Sequence, residues 1–252
     1  MNSYKCIAAY EGTRYNGWQK QGNTADTIQG KLEDILSRML EEPIEIAGSG
    51  RTDAGVHALG QVFHFHCHQN LLEDSTSSAF LSRINSYLPK DIRIISMEAC
   101  SNRFHARLNA VRKTYQYRID TSAYGNLFLR NTSHHIPEPL DLEAIKKGAG
   151  LLLGTHDFKS FCSNKRMKKS SIRTIYEIKI EEDSENQLLL FTFTGNGFLY
   201  NMVRILSGTL IEIGLGIRTP EEIPAILEGC NRGLAGHTAP AKGLFLMSVF
   251  YE

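Results

Sequence analysis

Residues 47–60 have the composition of a functional loop. They read AGSGRTDAGVHALG, with four glycines around one arginine, one aspartate and one histidine. Glycines permit tight turns and let a ligand approach the backbone closely. We therefore predict that Asp53 is held at the tip of a rigid loop that faces a pocket, where its carboxylate could act as a nucleophile or take a proton. An aspartate that only caps a turn is the alternative interpretation.

Two further side chains stand out by their surroundings. Arg204 lies among four apolar residues in a stretch with helical spacing, and a buried arginine requires an acidic partner. Tyr115 and Tyr117 are spaced by two, as ordinary strand residues are, with one of them in the core. The local pattern favours that interpretation of both tyrosines.

A metal site is not predicted. His64, His66 and His68 alternate along one predicted strand, but successive side chains on one face are roughly 7 Å apart, too far to share an ion easily. Cys67 points to the opposite face. The five cysteines contain no Cys-x-x-Cys pair, so we expect reduced thiols.

The elements that must position these residues follow one order twice. Apolar spacing predicts β-α-β-β-α-β in the first half, with strands at 4–10, 44–47, 61–67 and 92–97 and helices at 27–40 and 77–87. The second half repeats this order with one extra helix, giving strands at 113–120, 172–180, 188–194 and 244–250 and helices at 142–153, at 201–215 and after Pro220. We predict an α+β protein of two ferredoxin-like, split βαβ domains, 1–105 and 106–252, whose antiparallel sheets flank a central cleft.

Charge is unevenly distributed in a nearly neutral chain. The net charge is +1, yet residues 99–119 carry five basic side chains and residues 158–176 carry six, with no acid in either segment. Such segments favour a basic face for phosphates, although solvated surface charge explains a single run equally well. No apolar run reaches the roughly 18 residues that a membrane helix needs, so we expect a cytosolic protein.

The stretch GRTDAGVHA at residues 50–58 resembles the signature of the TruA family of tRNA pseudouridine synthases. Six more stretches resemble family segments in the family's order: YEGTRYNGWQKQ (10–21), NSYLP (85–89), FHARLNAVRKTYQYRI (104–119), GTHDFKSF (154–161), NGFLYNMVRILSG (196–208) and APAKGLFLMSVFY (239–251). Two features depart from the pattern. Glu11 stands where the family usually has aspartate, which should leave activity intact, and the basic stretch 164–170 leaves fine specificity open.

The resemblance implies a reaction and its partners. The expected reaction isomerises uridine to pseudouridine on the 3′ side of the anticodon stem-loop of tRNA, at positions 38–40. The expected enzyme is a homodimer without metal or organic cofactor, whose cleft binds RNA. The residues do not choose between attack on the sugar C1′, addition to the base and abstraction of a sugar proton.

By matched position, the resemblance also implies roles for single residues. Asp53 would be the nucleophile, Arg204 would pair with it, and Tyr115 would contact the target base. Arg51 would help to flip or hold the target nucleotide, which must leave its stack. His57, Arg107 and Lys113 are also expected to bind substrate. For His57 the alternative is that it braces the loop.

Two other functions fit parts of the pattern. A non-catalytic RNA-binding module is one, because ferredoxin-like sheets with exposed aromatics bind RNA without chemistry. A nucleoside or glycoside hydrolase is the other, but it generally needs a second carboxylate as acid. Asp26 and Asp91 lie in segments with no matching signature, which disfavours the hydrolase.

Overall fold

The computed structural model describes residues 1–72, 76–164 and 169–252. Part of the predicted basic stretch 164–170 therefore lies outside the described residues. By its internal packing the chain divides into unit 1, Met1–Val111 with Phe245–Glu252, and unit 2, Arg112–Leu244. The boundaries of these units differ from those of the predicted domains 1–105 and 106–252, and that division into domains stays a prediction.

Unit 1 is built from an antiparallel sheet and two helices. In chain order its elements are β1 (Asn2–Tyr10), α1 (Ile28–Leu40), β2 (Ile46–Gly48), β3 (His57–Cys67), α2 (Thr76–Tyr87) and β4 (Ile92–Ala99). Strand β1 pairs antiparallel with β3 on one side and β4 on the other, and β2 pairs antiparallel with β3. The C-terminal strand β10 (Leu244–Tyr251) runs parallel to β3, with Phe245 opposite His57.

Helix α1 forms where the apolar spacing predicts it. Ile28, Leu32 and Leu36 recur every four residues and are buried along one face. The side chain of Thr27 caps the first turn by accepting a hydrogen bond from the N–H of Gly30 (3.2 Å). The buried carboxylate of Glu33 accepts from the backbone N–H of Ile46 (3.1 Å), so α1 also fixes the start of β2.

Unit 2 repeats the combination of an antiparallel sheet with helices. Its elements are β5 (Ala110–Asp120), β6 (His134–His135), α3 (Leu142–Leu151), β7 (Gly154–Asp157), β8 (Ile172–Asp183), β9 (Leu188–Gly195), α4 (Met202–Gly214) and α5 (Glu222–Glu228). The sheet order is β5-β9-β8-β7, with every neighbouring pair antiparallel, and β6 pairs parallel with β5. Helix α4 is apolar and buried on nearly all sides.

The predicted α+β class is confirmed. Every predicted strand and helix is present within a few residues, and the described residues form ten strands and five α-helices in all. Strands β6 and β7 were not predicted, because two and four residues are too short to show an alternating pattern. Among the described residues, no helix combines the length and apolarity that crossing a membrane requires.

Candidate active site

The loop that carries Asp53 is tied to the strands that flank it. The backbone N–H of Ser49 donates to the carbonyl of Val62 (2.7 Å), and the Ser49 hydroxyl donates to the side-chain carbonyl of Gln61 (2.7 Å). The amide of the buried Gln61 then donates to the carbonyl of Gly50 (3.0 Å). One buried side chain of β3 thus fixes two successive residues at the loop entrance.

A second segment, residues 10–18, clamps the tip of the loop. The hydroxyls of Tyr10 and Thr52 are hydrogen bonded (2.8 Å), and the backbone N–H of Trp18 donates to the carbonyl of Thr52 (3.0 Å). The N–H of Gly55 donates to the carbonyl of Tyr15 (3.3 Å). Burial raises the pKa of Tyr10 far above its ordinary value, so its hydroxyl stays protonated. Asp53 is therefore held between anchored residues on both sides.

Asp53 itself is half-buried at this tip. Its backbone carbonyl accepts from the N–H of Val56 (3.1 Å), which closes a tight turn. A half-buried aspartate on a fixed turn differs from an aspartate that only caps a flexible loop, because the neighbouring backbone is already bonded elsewhere.

Glycine is required at two positions where residues 10–18 pack against the Asp53 loop and the strand before it. A Cβ atom at Gly12 would overlap the backbone carbonyl of Val56, and a Cβ atom at Gly48 would lie 2.5 Å from Nε1 of Trp18. Trp18 is almost completely buried and packs close to Tyr10 and Phe63. No role was predicted for Tyr10, Trp18 or Gln61. The glycines and aromatics of YEGTRYNGW were the available signal, since that combination favours close backbone packing.

The other predicted residues of this loop differ in exposure. His57 is fully buried, its Nδ1 accepts from the N–H of Gly12 (3.0 Å), and its ring stacks on Phe245 with centroids 4.6 Å apart. Arg51 is exposed and donates from Nε to the side chain of Gln19 (3.3 Å). The burial of His57 agrees with the bracing role that the sequence left open.

The departure at Glu11 lies on the surface. Its carboxylate is exposed and accepts from the hydroxyl of Thr13 (2.9 Å). Among the described residues, no group of three or more histidine, cysteine or acidic side chains is arranged to hold a metal ion.

Tyr115 and Lys113 lie on β5 in unit 2. Tyr115 pairs with Phe193 of β9, retains 8% of its surface exposed and packs edge-to-face on Phe198 (centroids 5.3 Å apart). Lys113 is half-buried opposite Gly195. Tyr117 is the fully buried member of the tyrosine pair, whereas Tyr115 keeps a small part of its surface exposed.

Arg204 is oriented by neighbours within unit 2. Its Nε donates to the carbonyl of Ala239 (2.7 Å), and a terminal nitrogen donates to the side-chain carbonyl of Asn201 (2.9 Å). The N–H of Ala239 donates back to the carbonyl of Arg204 (3.1 Å). Asn201 occupies the N-cap of α4 in the left-handed region (φ 60°), a conformation that asparagine tolerates better than most residues.

The same segment also holds Tyr117. Its hydroxyl donates to the carbonyl of Pro240 (3.0 Å). Burial raises the pKa of Tyr117, and the positive charge of Arg204 acts in the opposite direction. Ala239 and Pro240 thus connect Tyr117 on β5 with Arg204 on α4.

The predicted residues fall into two groups. Arg51, Asp53 and His57 share the anchored loop of unit 1, and Arg107 lies on an exposed turn of the same unit. The residues predicted in unit 2 are Lys113, Tyr115 and Arg204. Within unit 1 the loop of Asp53 is held by local hydrogen bonds, and within unit 2 local hydrogen bonds hold Arg204.

Comparison with known proteins identifies the family. A family model described as tRNA pseudouridine synthase matches residues 6–109 and 149–252. The chain is 43% identical over 249 residues to "tRNA pseudouridine synthase A 2" of Bacillus cereus (strain ZK / E33L), covering 99% of each chain. It is 45% identical over 251 residues to "tRNA pseudouridine synthase A" of Bacillus sp. (strain KSM-64), covering 100% of each. The chain therefore belongs to the tRNA pseudouridine synthase family, a family of isomerases, and the predicted TruA relationship is confirmed.

One solved structure shows a weaker likeness. A chain in "Crystal Structure of a Cbf5-Nop10-Gar1 Complex" superposes with a TM-score of 0.39 at 16% identity, covering 98% of this chain and 50% of that one. A likeness this weak supports no conclusion about function.

Proposed function

We propose that this chain isomerises uridine to pseudouridine in the anticodon stem-loop of tRNA, with Asp53 as the nucleophile. The observation that carries the proposal is a half-buried aspartate on an anchored turn, in a chain related to tRNA pseudouridine synthases over its whole length. The reaction breaks the N1–C1′ bond, turns the uracil while it stays bound, and forms a C5–C1′ bond. The atoms are only rearranged, so no cofactor is needed to balance it.

Arg51 and the basic residues would prepare the substrate. A uridine in a stem cannot be reached while stacked, and extruding it costs roughly a few kcal/mol. Arg51 is exposed two residues from Asp53, a position suited to hold or replace the flipped nucleotide. Contacts from Arg107 and Lys113 to phosphates would offset the cost of extrusion. We assign His57 to bracing the loop from within, because it is buried and bonded to Gly12.

Arg204 would keep the nucleophile ionised. We propose that it pairs with Asp53 in the working enzyme, since a nearby guanidinium lowers the pKa of a carboxyl group. Its fixed orientation by Asn201 and Ala239 supports this assignment, because a cation held in place costs less to position during the reaction.

Tyr115 would contact the uracil. Its ring is held by the contact with Phe198 and keeps a small exposed part, which would let a flipped base pack against it. Its hydroxyl would relay the proton that leaves C5 when the new bond forms.

The fold proposal is a repeated split βαβ arrangement flanking an RNA-binding cleft. In unit 1 the pairing order β4-β1-β3-β2, all antiparallel, is the order expected of a ferredoxin-like sheet. The family model matches two segments, one in each half of the chain, which supports a repeat. A homodimer, a cytoplasmic location and an activity without metal or organic cofactor complete the proposal.

The decisive assay uses unmodified tRNA that carries tritium at uracil C5. Isomerisation exchanges that hydrogen, so the wild-type protein should release the label into water without releasing free uracil. Released uracil would indicate a hydrolase instead. Tight tRNA binding with no label released from any of several unmodified tRNAs would indicate an RNA-binding module.

A further inference from the structure

The turn that presents Arg107 is closed by its own side chains. The N–H of His105 donates to the side-chain carbonyl of Asn109 (2.6 Å), and the N–H of Asn109 donates to the carbonyl of His105 (3.0 Å). Between them Ala106 is fully buried, and its carbonyl accepts from the hydroxyl of Tyr251 (2.7 Å). Arg107 itself is exposed. The turn is thus pinned to unit 1 at residue 106 and offers residue 107 to solvent.

Two imidazole rings accept the successive backbone N–H groups of this turn. Nδ1 of His64, on β3, accepts from the N–H of Ala106 (3.2 Å). Nδ1 of His105 accepts from the N–H of Arg107 (3.1 Å) and, more weakly, from that of Leu108 (3.4 Å). A ring nitrogen accepts a hydrogen bond only while it carries no proton, so this geometry requires both rings to be neutral with the proton on Nε2.

The surroundings of the two rings favour the neutral state. Their centroids are 4.9 Å apart, and the ring of His66 lies 5.5 Å from that of His64. Burial lowers the pKa of His64, and the neighbouring His105 and His66 lower it further, because three close imidazolium ions would repel one another.

Other polar groups around the cluster come from three elements. On β1, the amine of Lys5 lies 5.0 Å from the ring centre of Tyr251 and is paired with Glu98 of β4 (2.8 Å). On β10, Tyr251 keeps its hydroxyl on the turn, and burial raises its pKa, so it stays a donor across the working range. Nδ1 of His66 is hydrogen bonded to the hydroxyl of Ser3 (2.6 Å).

We propose that His64 and His105 are positioning residues for Arg107: as unprotonated acceptors they hold the 105–109 turn in its RNA-binding shape, and acid releases it. Protonation of either Nδ1 turns an acceptor into a donor that faces an N–H, and the turn loses that bond. Because the pKa of His64 is lowered, the shape persists through the ordinary titration range of histidine and is lost as the pH falls below it, through the lowered pKa of His64. The proposal rests on the assignment of Arg107 to substrate binding.

The first test measures hydrogen exchange of the turn's backbone amides in the absence of tRNA. We expect the amides of Ala106 and Arg107 to be protected from hydrogen exchange at about pH 8 and to lose protection, corrected for intrinsic rates, only below the ordinary histidine range, at about pH 4.5. His64→Asn with His105→Asn keeps an oxygen acceptor near each Nδ1 position but cannot titrate, so protection should then be independent of pH. A wild-type protection factor that stays constant over this range would overturn the proposal, whatever the protein does to tRNA.

The second test separates KM from kcat with the tritium assay. In the wild type, KM for tRNA should rise as the pH falls, and the double asparagine variant should flatten that rise. Arg107→Ala should raise KM about tenfold, the loss expected for one charge-assisted hydrogen bond. Its KM should no longer share the wild-type pH dependence.

Two further variants complete the comparison. His105→Leu removes the acceptor, so it should raise KM at about pH 8 towards the Arg107→Ala value, with kcat nearly unchanged. His68→Asn removes an exposed histidine outside the cluster and should keep the wild-type profile. A double asparagine variant with the full wild-type pH dependence of KM would refute the role of the two rings. A protein that releases no tritium fails the proposed function, and the exchange test still decides the turn.

Discussion

Asp53 is the residue on which the proposed chemistry depends. Asp53→Asn removes the charge and the nucleophilic oxygen with little change in shape, and the anchored backbone of the loop should be unaffected. We therefore expect unchanged melting and tRNA affinity with turnover below detection, measured by tritium release and by filter binding. Asp26→Asn, which breaks the ion pair with Lys31, is the matched control and should stay active. Measurable turnover by the Asp53 variant would exclude it as the nucleophile.

Arg204 combines a proposed catalytic role with visible structural bonds. Arg204→Leu loses the bonds to Ala239 and Asn201 and should reduce the free energy of unfolding by about 1–3 kcal/mol. If Arg204 also lowers the pKa of Asp53, the acid limb of the profile of kcat/KM against pH should move to higher pH in the variant, because the carboxylate would protonate sooner. Thermal melting and pH-dependent tritium release measure the two effects. An acid limb that does not move would separate Arg204 from the nucleophile.

Single residues became candidates where the signal in the sequence is local. Asp53 and Arg51 stand in one glycine-rich stretch, and Arg204 is conspicuous among apolar neighbours. Tyr10 reaches the loop from 42 residues away, Gln61 reaches back from the strand that follows it, and nothing in their immediate surroundings records those contacts. The sequence therefore offers candidates for the chemistry, which stay predictions, and does not indicate which residues hold them in place.

At the scale of elements, the segment 10–18 and the Asp53 loop act as one piece. Gly12→Ala would place a methyl group against the carbonyl of Val56 and should reduce the free energy of unfolding by about 1–3 kcal/mol, with a loss of turnover because the loop shifts. Gly22→Ala is the matched control, since nothing lies within 4 Å of its added Cβ. Denaturant melting and tritium release measure both variants. Equal stability of the two variants would contradict the conclusion that residues 10–18 hold the Asp53 loop in place.

Helices were easier to predict than strand ends. Helix α1 begins and ends within one residue of its predicted bounds, because its apolar spacing and the Thr27 cap are local. Strand β3 begins at His57 and not at Gln61, because β10 pairs with its first residues from the other end of the chain. Long-range pairing extends a strand beyond the stretch whose own alternation predicts it.

For the whole molecule, we expect two copies of the chain to associate. The chain mass is 28.3 kDa, and we expect light scattering to give twice this value at micromolar concentration, since the family resemblance implies a homodimer. Addition of tRNA should not dissociate the dimer if both copies serve binding. A monomer mass at all concentrations, with full tritium release, would show that one copy suffices.

The near-neutral charge also matters at this scale. With a net charge of +1, the molecule as a whole attracts RNA only weakly, so binding must come from local basic segments such as the turn around Arg107. Their exposure could be expected from composition, but the histidine acceptors that shape that turn could not, because His64 and His105 meet only in the folded chain.

Trp18 is the one tryptophan of the chain, and it is buried against Gly48 at the base of the Asp53 loop. Selective excitation of this indole gives an emission signal with a single origin, placed beside the proposed nucleophile. Loosening of the loop would admit water to the ring and move the emission to longer wavelength. The protein thus contains its own optical probe of the region where uridine would be turned over.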